Sequence, residues 1–205
     1  MATQTRRNSV AKPTLADLQA AREMFEAVEP RDLFYRLSLH LMGQGAGSPF
    51  SRAEALAVLL QTWNHSYYQR LDIPFDAAHF AAIERLLAEH EQPLADFARR
   101  SIESLAPTDE TLVRLIYHEF EAVLGQTGAS KALHLLAPRF FPLWDGAIAA
   151  TAYGLYARDA RDYWRLMGAT AMQVAAVGGE AALGRNPIKA IDEYNYCRYT
   201  LKRIG

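Results

Sequence analysis

Apolar residues recur along this chain at intervals of three and four, almost from end to end. In "TLADLQAAREMFEAV", Leu15, Leu18, Ala21 and Phe25 share one helical stripe, and Thr14 stands where an N-cap belongs. A second helix is predicted from Pro30 through "PRDLFYRLSLHLMG" to Gly43, before the break "GQGAGSP". Ser51 and Glu54 form a capping-box pattern ahead of "ALAVLLQTW", whose apolar run predicts a buried central helix. After the loop "LDIPF", Asp76 caps "AAHFAAIERLLAEH". "QPLADFARRSIESLA" is the next helix, with Pro93 in its first turn. Thr108 is placed to cap "DETLVRLIYHEFEAVL", which Gly125 ends. Then come "GASKALHLLA", a loop "PRFFPLW", a helix "DGAIAATAYG" and two more helices, the last starting near Pro187. No stretch alternates apolar and polar as a strand would, and no internal repeat is present. The pattern predicts an all-α fold of about eight to ten helices.

Composition narrows this picture. Half of the 205 residues are hydrophobic, enough for one sizeable core spanning 14–205 as a single domain. Residues 1–13 are polar and lack periodicity, and are expected to be a flexible arm. No apolar run reaches the length of a membrane span, so no membrane partner is expected. The single cysteine, Cys197, forbids an intrachain disulfide and a thiolate zinc site, and suits a cytoplasmic protein. None of the six histidines has a ligand-like spacing, so no metal is expected. A formal net charge of −1 gives no broad basic surface, though a local patch can sit within a neutral total.

Three segments carry candidate chemistry. In "LGQTGASKAL", Leu124 and Gly125 are followed by Ala129, Ala132 and Leu133, the second half of a helix-hairpin-helix pattern. Glycine permits the tight turn, and free backbone N–H groups at the next helix start can hold a phosphate. A plain joint between two helices reads the same way. Asp145 lies between the aromatic loop and an alanine-rich helix, where it serves as an N-cap and, beside bulky apolar residues, as a candidate reactive carboxylate. The helix "ALAVLLQTWNHSYYQ" ends in Gln61, Trp63, Asn64, His65, Tyr67 and Tyr68, which is either a polar helix end or a surface that stacks on and hydrogen-bonds bases. Further on, "DEYNYCRY" puts Asp192, Asn195 and Tyr199 on one helical face, with Tyr196 adjacent, to dock the last helix or to complete a pocket. "VGGEAALGRNP" follows no strand and reads as an interhelical loop, and His118 and His134 flank the hairpin.

The three segments occur in an order that resembles the helix-hairpin-helix DNA glycosylase superfamily over roughly residues 51–155. "AVLLQTWN" is similar to the family helix whose Gln or Asn fills the hole left by a flipped base. "LGQTGA" resembles its hairpin, and "FPLWDGAI" the segment with its essential Asp. The resemblance implies a multi-helix orthogonal bundle of two lobes around a central cleft, without a cofactor. It implies cleavage of the N-glycosidic bond of a flipped, modified or damaged base, with duplex DNA as the partner. Asp145 would be the catalytic carboxylate. Leu124, Gly125, Gln126, Thr127 and Gly128 would hold a phosphate. Trp63 or Asn64 would enter the vacated stack, and Phe141, Trp144 or Tyr153 would wall the base pocket. Three positions depart from the family: Val123 replaces the hairpin's first glycine, Thr127 the Schiff-base lysine, and Ala147 the histidine after the Asp. Lys131 lies one turn beyond Thr127 on about the same face, as a secondary catalytic and phosphate-contacting candidate. Without an aligned lysine, the resemblance implies a monofunctional hydrolase. The alternatives are a non-catalytic nucleic-acid-binding module and an unrelated helical partner-binding protein.

Overall fold

The computed structural model describes residues 12–43, 49–71 and 74–204. The first eleven residues of the expected N-terminal arm, the glycine-rich break at 44–48 and part of "LDIPF" lie outside the described residues. Within them the chain is all helical and no strand occurs. The helices are α1 (Leu15–Val28), α2 (Asp32–Gly43), α3 (Arg52–Trp63), α4 (His65–Leu71), α5 (Ala77–Glu89) and α6 (Glu91–Ala98). There follow α7 (Glu110–Leu136), α8 (Gly146–Tyr153), α9 (Ala160–Ala176), α10 (Gly179–Leu183) and α11 (Pro187–Asn195), and α11 runs on into a π-helical turn, Tyr196–Thr200.

The local signals acted where both halves of a cap were present. Thr14 and Ser51 each close a capping box, with Asp17 and Glu54, and Asp76 caps α5 through the His79 N–H. Elsewhere the expectation needs correction. The helix after Pro93 stops at Ala98, and Ile102–Ser104 forms a separate 3₁₀ turn. Thr108 does not cap α7, because it sits inside a second 3₁₀ turn, Pro107–Asp109. The Asp109 carboxylate instead accepts the Ala106 N–H and pairs with Arg100. The "VGGEAALGRNP" segment contains the short helix α10.

Gly125 interrupts α7 rather than ending it. Its φ of 68° and ψ of 166° break the ladder for one residue, and the helix resumes at once as a second arm, 126–136. The positive φ suits glycine alone. A Cβ here would also lie 2.3 Å from the Tyr67 ring, and one at Gly128 would lie 2.5 Å from the Asn64 amide. The end of α3 and the start of α4 therefore pack straight onto glycine backbone. Asn64 Nδ2 donates to the Leu124 carbonyl at 3.0 Å, which the break deprives of its helical partner.

Buried side chains gather into two clusters. The larger joins α2, α3, α5, α6 and α7 with the first half of α9, through residues such as Leu56, Leu60, Ile83, Ile116, Phe120 and Met167. The smaller joins α1 to α11 and the end of α9, through Leu18, Phe25, Val174, Ile188 and Ile191. Lys189 bridges the two. Its ammonium lies 4.1 Å from the Phe25 ring centre and 3.3 Å from Asp32 on α2. Buried His134 clamps α7 to α2 and to the aromatic loop. Its Nδ1 is 2.7 Å from the Phe141 carbonyl, which can only accept, so Nδ1 carries the proton and Nε2 accepts from the Tyr35 hydroxyl at 2.8 Å. Burial lowers the His134 pKa to about 4 and holds this neutral form.

The break predicts a sharp sensitivity. Gly125→Ala is expected to cost about 2–4 kcal/mol of stability in urea unfolding, from strain and collision together. Gly43→Ala, where a Cβ meets open space, should change stability by less than about 1 kcal/mol.

Candidate active site

The loop that carries Asp145 is fastened at nearly every step. Phe140 and Phe141 plug into the larger core against Phe97, with ring centres 4.6 and 5.2 Å away. The Tyr163 hydroxyl donates to the Pro142 carbonyl at 2.9 Å, and the Trp144 N–H donates to Ser130 Oγ at 3.0 Å. Asp145 then caps α8, accepting the Ala147 and Ile148 N–H groups through Oδ1 at 2.9 Å each. Oδ2 takes no part in the cap, and the residue borders a cavity.

That cavity has a volume of about 210 Å³ and lies where the two cores meet. Phe25, Trp63, Trp144 and Tyr196 give it aromatic walls, while Lys131, Asp145 and Asp192 are ionisable groups on its surface. An apolar cavity of about 150 Å³ accommodates benzene, so this one has room for a larger ring. Thr127 and Lys131, one turn apart on the second arm of α7, both line it. Behind it is a smaller chamber of about 20 Å³, which shares Leu143, Asp145, Ile148 and Asp192 with the larger.

One side of the cavity is closed by a continuous run of hydrogen bonds. The Tyr196 hydroxyl donates to Glu29, and the Arg31 guanidinium donates to both Glu29 oxygens at 2.8 and 2.7 Å. The Trp63 indole N–H donates to the Arg31 carbonyl at 2.9 Å, and the Lys131 ammonium to the Trp63 carbonyl. The Arg31 pairing holds the Glu29 carboxyl down at about 2, so Glu29 is a fixed anion. Trp63 is further held by stacking on Tyr35 at 5.5 Å.

Burial, partly offset by the neighbouring Asp145 carboxylate, lowers the Lys131 pKa to about 8. Burial acts in the opposite direction on Asp192 and raises it to about 6, against the pull of Lys189 at 3.8 Å. Asp192 keeps 23% of its side-chain surface open while lining both cavities, which makes it enclosed yet reachable.

The expected site residues divide accordingly. Asp145, Lys131, Thr127, Trp63 and Trp144 meet at the larger cavity. Tyr153 lines only the smaller chamber. Phe141 is fully buried in the core and walls neither, because the clamp at its carbonyl turns the ring inward. Asn64 is buried with its amide committed to Leu124, so in this conformation it holds the joint rather than standing at a surface. Leu124 is core, and Gln126 donates to the Arg158 carbonyl at 2.7 Å. Lys131, the only cation between 124 and 131, is directed inward, which leaves backbone N–H groups as the donors an anion would meet there. His118 and His134 form no pair, since His134 is bound to Tyr35 and Phe141. Sequence reasoning assigned no role to Phe25, Glu29 or Arg31 and left Asp192 and Tyr196 undecided. Among the described residues no cluster is arranged to hold a metal ion, and no helix is long and apolar enough to cross a membrane.

The chain matches no family model, no curated protein and no solved structure.

The lysine environment can be read directly. A ¹⁵N-resolved titration of the Lys131 amine should show a midpoint near pH 8. Asp145→Asn should move that midpoint lower, because it removes the carboxylate that favours the ammonium form. A wild-type midpoint near the ordinary lysine value would show that the amine is solvated.

Proposed function

We propose that the larger cavity receives the ring of a nucleotide extruded from duplex DNA, and that Asp145 promotes cleavage of its N-glycosidic bond. The observation that carries this reading is the meeting of the Asp145 carboxylate and the Lys131 amine in a cavity of ring size with aromatic walls. The aromatic side chains suit the faces of a planar base. As the C1′–N bond lengthens, positive charge builds on the sugar, and the Asp145 carboxylate stabilises it. The departing base carries the bonding electron pair and takes a proton. In the monofunctional route, water supplies the oxygen at C1′.

Lys131 favours a second route at the same centre. At a pKa of about 8, about a tenth of the amine is unprotonated at pH 7, against roughly one in three thousand for an unshifted lysine. Its nitrogen can then attack C1′ in place of water, and ring opening yields an imine between Nζ and C1′. The family position of this amine falls on Thr127, and Lys131 reaches the same cavity from one turn further along.

The test is a base-release screen on duplexes carrying damaged, modified and mismatched bases. Wild type should release at least one of them, and Asp145→Asn should lower the rate by about a hundredfold or more. Borohydride should trap a covalent adduct that Lys131→Gln abolishes if the amine attacks; hydrolysis that survives Lys131→Gln without an adduct selects water. DNA binding without release from any duplex would indicate a non-catalytic module. Neither binding at low salt nor release would leave the cavity to a helical protein with a different partner.

A further inference from the structure

The small chamber beside Asp145 is bordered by a buried side chain with an unpaired polar atom. Asn195 is 6% exposed and lines the chamber. Its Nδ2 donates to the Tyr153 hydroxyl at 2.7 Å, and that hydroxyl donates onward to Gln173 Oε1 at 2.8 Å. In this arrangement Asn195 Oδ1 remains as an acceptor. Among the described residues it has no donor. A buried amide oxygen without a partner is destabilising, and a bound water relieves it. The chamber volume of about 20 Å³ exceeds the ~10–15 Å³ that one water needs. Three further oxygen-bearing side chains border it, Asp145, Asp192 and Thr170, and the two carboxylates also border the ligand cavity.

We propose that this chamber holds the attacking water, positioned by Asn195 and activated by Asp192. The assignment rests on the base-excision reading above. The water donates one hydrogen to Asn195 Oδ1 and the other to the Asp192 carboxylate. Its oxygen lone pair is thereby turned toward the larger cavity. When the C1′–N bond breaks, the oxygen bonds to C1′, its proton passes to Asp192, and the base departs with the electron pair and takes up a proton. The two acids take different parts. Asp145 gives one oxygen to the α8 cap and faces the charge at C1′. Asp192, more basic through burial, takes the proton. The charged groups around Asp192 are Lys189 and Glu193 on its own helix, Asp32 on α2 through Lys189, Lys131 on α7, and Asp145 before α8. Asn195 is a positioning residue.

A high-resolution crystal structure of the full chain should show one ordered water within hydrogen-bond distance of Asn195 Oδ1 and of an Asp192 oxygen. A dry chamber, or an Asn195 amide satisfied by protein, overturns the proposal and leaves the base-excision reading standing. The kinetic arm uses a cleavable duplex in buffer containing methanol, and measures methyl glycoside against free sugar. Asp192→Asn and Asn195→Leu should each lower attack by water and raise the methanol-to-water product ratio about tenfold. A loss of both products in constant ratio would mark these residues as merely structural and overturn the proposal. A water in place with no cleavage of any duplex overturns the base-excision reading, and with it this water's role as nucleophile.

Discussion

The site depends on the single-residue break at Gly125. An unbroken helix over 110–136 would carry Lys131 along a straight axis set by the core contacts of the first arm. The positive-φ residue redirects the second arm, and two side chains hold it there. Tyr67 fills the space where a Cβ would be, and Asn64 takes the orphaned Leu124 carbonyl. Once the arm is placed, Ser130 accepts the Trp144 N–H and His134 ties down Phe141. The Asp145 loop is thus positioned by the same five-residue stretch, 130–134, that carries Lys131. Carboxylate and amine share one rigid support.

Two ionisable groups of the cavity, Lys131 and Asp192, work against folding. Lys131 has a folded pKa near 8, below its unfolded value, so the fold gains stability as pH rises from there toward 10.5. Asp192 has a folded pKa near 6, above its unfolded value, so the fold gains stability as pH falls from there toward 3.8. Between those ranges, at neutral pH, both charges are held in a place that disfavours them. Glu29 is the contrast. Arg31 and Tyr196 satisfy its carboxylate, and its contribution is present above about pH 4.5 and lost as pH falls toward 2. One carboxylate of the cavity wall therefore consolidates the fold, while another, together with the lysine, is retained at a cost. Such unfavourable placement is characteristic of functional groups.

What could be read from the sequence was local. Thr14, Ser51, Asp76 and Asp145 cap the helices they precede, because a cap is written within three residues of itself. The all-helical class followed from spacing alone. Whether an aromatic residue faces a core or a cavity is not local. Phe141 and Trp144 stand three apart in the same apolar loop and both are buried in the larger core, yet only Trp144 also lines the cavity. Lys131 was legible as a secondary candidate, because its i, i+4 relation to Thr127 puts it on the same face. Glu29 and Tyr196 meet across 167 residues, and no pattern within a helix encodes such a contact.

That last contact bears on the order in which the protein is made. Part of the cavity wall comes from α1 and its end and part from α11 and the turn after it, where Tyr196 reaches Glu29 and Cys197 reaches the Ala21 carbonyl, while Arg185, just before α11, reaches the Leu18 carbonyl. On the ribosome, the larger core can assemble around α3 and α7 while α1 still waits for α11. The larger cavity closes only when α11 has emerged, so a nascent chain has a core well before it has this cavity.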